Sequence, residues 1–145
     1  MSAVAARTSL PGGGRDNARF RAIVTTVVPE ATALGDDEWS VAESIIGRAV
    51  SARPPAMRRQ LGLFVRALDL LSLVRHFHTF AGLTPGARTE LLERLGASPL
   101  VALRRGVWGV RTLAMMGYYA RPEAAKAIGY RASPAGWASR GGAPR

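Results

Sequence analysis

Apolar residues recur at three- and four-residue spacing through almost all of positions 16–128, and no stretch alternates with period two. Phe20, Ile23, Val24, Val27 and Val28 share one helical face, with Asp16 or Asn17 as cap and Pro29 as stop. Val41, Ala42, Ile45, Ile46, Ala49 and Val50 form the next amphipathic face. Pro54-Pro55 then breaks the chain and opens the longest predicted helix, Pro55 to Phe80. It carries two stripes: Met57, Leu61, Phe64, Leu68 and Leu71 in one, and Leu63, Ala67, Leu70, Val74 and Phe77 in the other. A helix apolar over most of its circumference is central in a bundle or covered by another chain.

Thr84 caps a helix through Leu95, with Ala87, Leu91, Leu92 and Leu95 inward and Gly96 as its terminal glycine. Ser98 as cap and Pro99 at the first helical position open a fifth helix, whose face is Leu100, Leu103, Val107, Val110 and Ala114 and whose end is Met116-Gly117. A short helix from Pro122 to Ile128 follows, stopped by Gly129. The pattern predicts an all-α, single-domain bundle of five or six helices over residues 15–131. Residues 1–14 and 132–145, rich in Gly, Pro, Ser and Ala, are expected to be flexible arms.

Local chemistry adds detail. Asp36, Asp37 and Glu38 complement the positive start of a helix better than they hold a metal, since ions need converging ligands rather than a run. Ser40 and Glu43 stand at capping-box spacing. Arg66 and Asp69, three apart, are placed to pair on the wet edge of the long helix. His76 and His78 are the only histidines. In a helix their rings point roughly 200° apart, so they share a metal only if the helix ends before them. Ala102, Gly106 and Gly109 make a small-residue stripe that lets a neighbouring backbone approach closely, inside the bundle or from a partner.

Charge narrows the partners. The 145 residues hold 20 Lys+Arg against 10 Asp+Glu, a formal net charge of +10, and Lys126 is the sole lysine. Such a surface calls for an acidic partner, whether protein, nucleic acid or anionic lipid. Arg104, Arg105 and Arg111 make either a solvated face or a match for an acidic groove on another protein. There is no cysteine, hence no disulfide frame or thiolate metal site. No nucleophile–base–orienter set, glycine-rich phosphate turn after a strand, or paired carboxylates can be assembled, so no catalytic, cofactor or metal residue is assigned. No segment has the uninterrupted apolar length of a membrane span. The first residues lack a basic region leading into an apolar core, which gives a cytoplasmic expectation, or export together with a partner.

The run of a basic-apolar helix, Tyr118-Tyr119, Pro122-Glu123 and Ile128-Gly129-Tyr130 resembles the C-terminal half of the gluconate 2-dehydrogenase subunit 3 family. Ala124 and Ala125 stand where that family often carries Trp. A similar pattern is found in the helical N-terminal region of long-chain alcohol oxidases. The resemblance implies a non-catalytic small subunit that binds and stabilises a large FAD-dependent subunit of the glucose-methanol-choline type, acting on CH–OH groups of a sugar, alcohol or sterol. FAD then belongs to the partner, and a cytochrome or other electron-acceptor subunit is a further partner of such complexes. On this reading Tyr119, Tyr130 and Trp137 contact the large subunit, with Pro122 and Gly129 fixing the approach, while Tyr118 and Ile128 fold back on the bundle. Arg104, Arg105, Gly106, Gly109 and Arg111 complete the expected partner surface. The alternative is a basic nucleic-acid-binding module, with Thr84 to Arg105 drawn as a helix-turn-helix. Against it, Pro99, Leu100, Val101 and Ala102 offer almost no base-edge hydrogen bonding at the start of the would-be recognition helix.

Overall fold

Why the fifth amphipathic stretch organises the others is visible in the computed structural model, which describes residues 14–129. The elements are α1 (Gly14–Val27), a 3-10 turn (Pro29–Ala33), α2 (Asp36–Ser51) and α3 (Pro55–His76), then a 3-10 turn (Phe80–Gly82), α4 (Pro85–Gly96), α5 (Val101–Tyr119) and α6 (Pro122–Ala127). No strand occurs among the described residues, and the architecture is an all-α bundle. Helix α5 packs against every other α-helix. Its inward row is Val107, Val110, Ala114 and Gly117.

Two adjoining cores result. In one, Ile23 of α1 meets Phe64 and Leu68 of α3, Phe80, Leu92 of α4, and Val107 and Val110. In the other, Val24 and Val28 meet Trp39 and Ala42 of α2 and Ala114. Burying a side chain as fully as Leu68 or Leu92, each 1% exposed, contributes about 1.5–3 kcal/mol. Arg21 lies over the Trp39 ring at 5.2 Å and donates to Glu43 at 2.9 Å, which fastens α1 to α2.

Two glycines set the closest approaches. A Cβ on Gly106 would lie 2.1–2.5 Å from the Phe64 ring, so the small-residue stripe serves packing inside the bundle at this position. A Cβ on Gly117 would meet the Ile46 Cδ1 at 2.4 Å. Gly109, by contrast, has nothing within 4 Å.

Polar side chains tie the elements together where the sequence pattern misleads. Asp69 is 6% exposed and does not pair with Arg66 on a wet edge. Its carboxylate takes the Phe80 backbone N–H at 3.1 Å and an ion pair from Arg19, joining α3 to the second 3-10 turn and to α1. A buried N–H beyond a helix end needs an acceptor, and Asp69 faces it. Arg121 is 2% exposed. Its guanidinium donates to Glu38 at 2.8 Å and lies over the Tyr118 ring at 4.6 Å, while its Nε donates to the Tyr118 carbonyl at 3.1 Å. The start of α6 is thereby locked onto the start of α2.

Several helix ends differ from expectation. α2 begins at Asp36, with Gly35 as cap, and the Glu38 carboxylate accepts the Gly35 N–H at 3.0 Å. Ser40 and Glu43 therefore lie inside the helix, and the acidic run fills its first turn. α3 ends at His76, short of Phe80, because Phe77 turns left-handed at φ 58. α5 begins at Val101, since Leu100 is extended; Ser98 Oγ instead accepts the Leu100 N–H at 3.1 Å. α5 also continues through Gly117 to Tyr119. Thr84 caps α4 as the spacing implies, accepting the Ala87 N–H at 3.3 Å, and Gly129 ends α6 at φ 68.

Two outcomes follow from these contacts. Gly106→Ala is expected to destabilise the chain by about 1–3 kcal/mol through overpacking against Phe64. Gly109→Ala, made into open space, is expected to stabilise it by up to about 1 kcal/mol through helix propensity; thermal unfolding of the two variants reads both signs. The second outcome concerns pH. The Gly35 N–H and then Arg121 hold the Glu38 carboxyl below its ordinary value of 4.5. A lowered folded value means stability that is present above that pH and lost as the pH falls below it. The thermal midpoints of wild type and Glu38→Gln should therefore differ at neutral pH and converge as the pH falls below 4.5 and through the lowered Glu38 value.

Candidate functional site

Where α3 leaves the core, it leaves half of its apolar surface behind. Of the first stripe, Phe64 and Leu68 are buried and Leu61 is half-buried, while its ends, Met57 and Leu71, are 48% and 38% exposed. The second stripe faces solvent: Leu63 is 64% exposed, Leu70 63%, Val74 73% and Phe77 87%. At 1.5 Å per residue this row runs roughly 20 Å along the helix. Of the two readings for a helix apolar nearly all round, the central one is thus excluded: among the described residues α3 is peripheral and one of its faces lacks a neighbour.

Phe77 is the extreme case. It is a non-glycine residue in left-handed conformation, which costs about 1 kcal/mol or more relative to glycine there. Neither burial nor backbone preference accounts for phenylalanine at this point. Beside it, the His78 Nδ1–H donates to the His76 carbonyl at 2.8 Å. Among the described residues no three His, Cys, Asp or Glu side chains converge on a common point.

The electrostatics of this side are one-signed. From residue 48 to residue 75 the chain carries Arg48, Arg53, Arg58, Arg59, Arg66 and Arg75 against Asp69 alone, and Asp69 is turned inward. The surface offers apolar rings and methyls flanked by unopposed guanidiniums, a combination enriched where proteins bind one another.

A second exposed row lies on α5. Val101, Trp108, Met115 and Tyr119 recur at helical spacing and are 49%, 73%, 51% and 38% exposed. Arg104, Arg105 and Arg111 are exposed along the same helix, so three of the expected arginines and Tyr119 share α5 with Trp108. Arg104 also donates to the Ser98 carbonyl at 3.0 Å, closing the α4–α5 corner. Tyr119 meets Tyr118 edge-on, with ring centroids 5.0 Å apart. Pro122 and Gly129 are exposed. Gly106 is turned to Phe64, away from this row, and Gly109 is half-buried with open space at its Cα. Tyr118 packs on the second core as expected, but Ile128 is 62% exposed rather than folded back. α6 ends at Ala127, one residue before Ile128 could turn inward. Tyr130 and Trp137 lie outside the described residues.

Two contributors escaped sequence reading. Trp108 falls between the arginines and was legible as their aromatic companion on one helical face. Arg121 had no such signal, because its partner Glu38 is distant in the chain.

No helix among the described residues is long and apolar enough to cross a membrane. A family model described as gluconate 2-dehydrogenase subunit 3 matches residues 15–137. No curated protein and no solved structure matches the chain.

Proposed function

The chain belongs to the gluconate 2-dehydrogenase subunit 3 family, and on that premise we propose that it is the non-catalytic small subunit of an FAD-dependent dehydrogenase. Its partner is a large catalytic subunit of the glucose-methanol-choline type, which carries the FAD and oxidises a CH–OH group of a sugar, alcohol or sterol. The flavin chemistry is the partner's, and this chain contributes binding energy and shape. A cytochrome or other electron acceptor completes the assembly.

The observation that carries this reading is the exposed row Leu63, Leu70, Val74 and Phe77. A contiguous apolar row of that length on a monomer marks an interaction surface. Burial of the row by the large subunit explains why α3 keeps two apolar faces while the bundle uses one. It also makes the small subunit a stabiliser of the large one, since a ligand that binds only the folded state raises its stability by mass action. The Arg104, Arg105, Trp108, Arg111 and Tyr119 row offers a further contact, to the same subunit or to the electron acceptor. Arginine and aromatic side chains of this kind dominate the energetics of protein interfaces.

Phe77 supplies a test with opposite signs for fold and function. Phe77→Gly relieves the left-handed strain and should stabilise the isolated chain by up to about 1 kcal/mol after glycine's own entropy cost. The same substitution should weaken association with the co-expressed catalytic subunit by about 1–4 kcal/mol. Thermal unfolding and a titration of the purified subunits read the two effects. A variant that is more stable and binds as tightly as wild type would remove the row from the interface.

A further inference from the structure

Helices α2 and α3 are joined by only a few residues, Ala52 to Pro54, and so short a connection ordinarily packs its helices side by side. These two make almost no contact with each other. Between them, closed below by α1 and α5, lies an open groove of about 760 Å³. Its floor is apolar, from Ile23, Ile46, Val50, Val65, Val110 and Leu113. Arg58, Arg59 and Arg66 stand on its α3 wall, and no Asp or Glu lines it among the described residues. The guanidiniums of these three arginines form no ion pair or hydrogen bond with any described residue. Gly62 lies in the same wall, with nothing within 4 Å of the position its Cβ would take. A glycine in the middle of a helix weakens it, and here no contact with a described residue explains its presence.

We propose that this groove receives an acidic amphipathic helix of the catalytic subunit, seated in the place where α2 and α3 would otherwise meet. The inference rests on the small-subunit reading above and adds to it a second contact, which adjoins the outer row at Leu63. An incoming helix about 10 Å across meets an apolar floor with one face and the arginine lip with its carboxylates. Arginine suits this task because its fork binds carboxylates through two parallel hydrogen bonds. Gly62 permits the incoming backbone to approach the α3 wall closely. The chemistry excludes a basic occupant, which places this chain's own ends, with Arg7, Arg131, Arg140 and Arg145 and no Asp or Glu, at a disadvantage against an acidic partner.

The test uses the co-expressed complex with the photo-cross-linker p-benzoylphenylalanine placed at Arg58, at Arg66 or, on the outer row, at Leu70. Irradiation and mass spectrometry should link Arg58 and Arg66 to one peptide of the catalytic subunit, rich in Asp and Glu, with apolar residues three and four apart. The Arg58→Glu/Arg66→Glu pair should then weaken association by about tenfold at low salt, and Lys placed for the acids of that peptide should restore it. Both arginines are exposed, so the substitutions leave the fold intact. Cross-links from Leu70 with none from the rim would overturn the groove proposal and leave the subunit reading standing. Absence of cross-links from all three positions would overturn both. Rim cross-links to a second copy of this chain, to its residues 1–13 or to its residues 130–145 would assign the groove to those occupants and overturn it. Binding of dodecanoate by the isolated chain, abolished by the double charge reversal and unaccompanied by rim cross-links, would mark a site for a small amphiphile and also overturn it.

Discussion

The approach of α3 to α5 at Gly106 is the constraint from which the rest of the surface follows. The Phe64 ring occupies the space a side chain at residue 106 would fill. This contact, Leu68 beside it and the buried Asp69 commit one narrow edge of α3 to the core. Everything on the opposite edge is left to solvent or to another molecule. Had α3 been held by residues on both of its apolar stripes, it would have been the central helix; a single seam makes it a peripheral one. The same seam holds α3 away from α2, which opens the groove between them.

That arrangement is costly for an isolated bundle, and the costs cluster where the partner is inferred. Phe77 adopts a backbone conformation better suited to glycine and exposes most of its ring. The arginines of α3 form no ion pair with a described carboxylate. Local departures of this kind from what the fold alone would select are expected at functional sites, where a binding event compensates for them. Elsewhere the chain is locally consistent. Thr84 caps α4, Glu38 closes the first turn of α2, and Gly129 ends α6 in the conformation glycine favours.

Much of this was legible in the residues. The helical period, Pro29, Pro55 and Thr84 place the elements, and the two stripes of α3 leave it either central in the bundle or with a stripe covered by another chain. Which stripe that is was not legible, because periodicity reports that a face is apolar and not what it touches. Arg66 and Asp69 show the same limit: spacing makes a surface pair plausible, whereas the unpaired N–H of Phe80 draws Asp69 inward. Gly106 could be read as a close approach, but its neighbour Phe64 could not be named from the pattern. Arg121 was wholly hidden, since a buried guanidinium depends on the distant Glu38 and on the Tyr118 ring together. The family resemblance, carried by Tyr118-Tyr119, Pro122-Glu123 and Ile128-Gly129-Tyr130, agrees with the family model over residues 15–137. Of those that are described, Tyr118 packs on the second core and under Arg121, and the broad apolar face lies on α3.

Side-chain footprinting with hydroxyl radicals addresses the central claim most directly, because it reports the solvent access of individual side chains in the isolated chain and in the assembled complex. Leu63, Leu70, Val74 and Phe77 should be oxidised readily in the isolated chain and become several-fold protected when the catalytic subunit is bound. Buried Phe64 and Leu68 should react little in either state. Oxidation of the outer α3 row at the same rate in the complex as in the isolated chain would contradict the account.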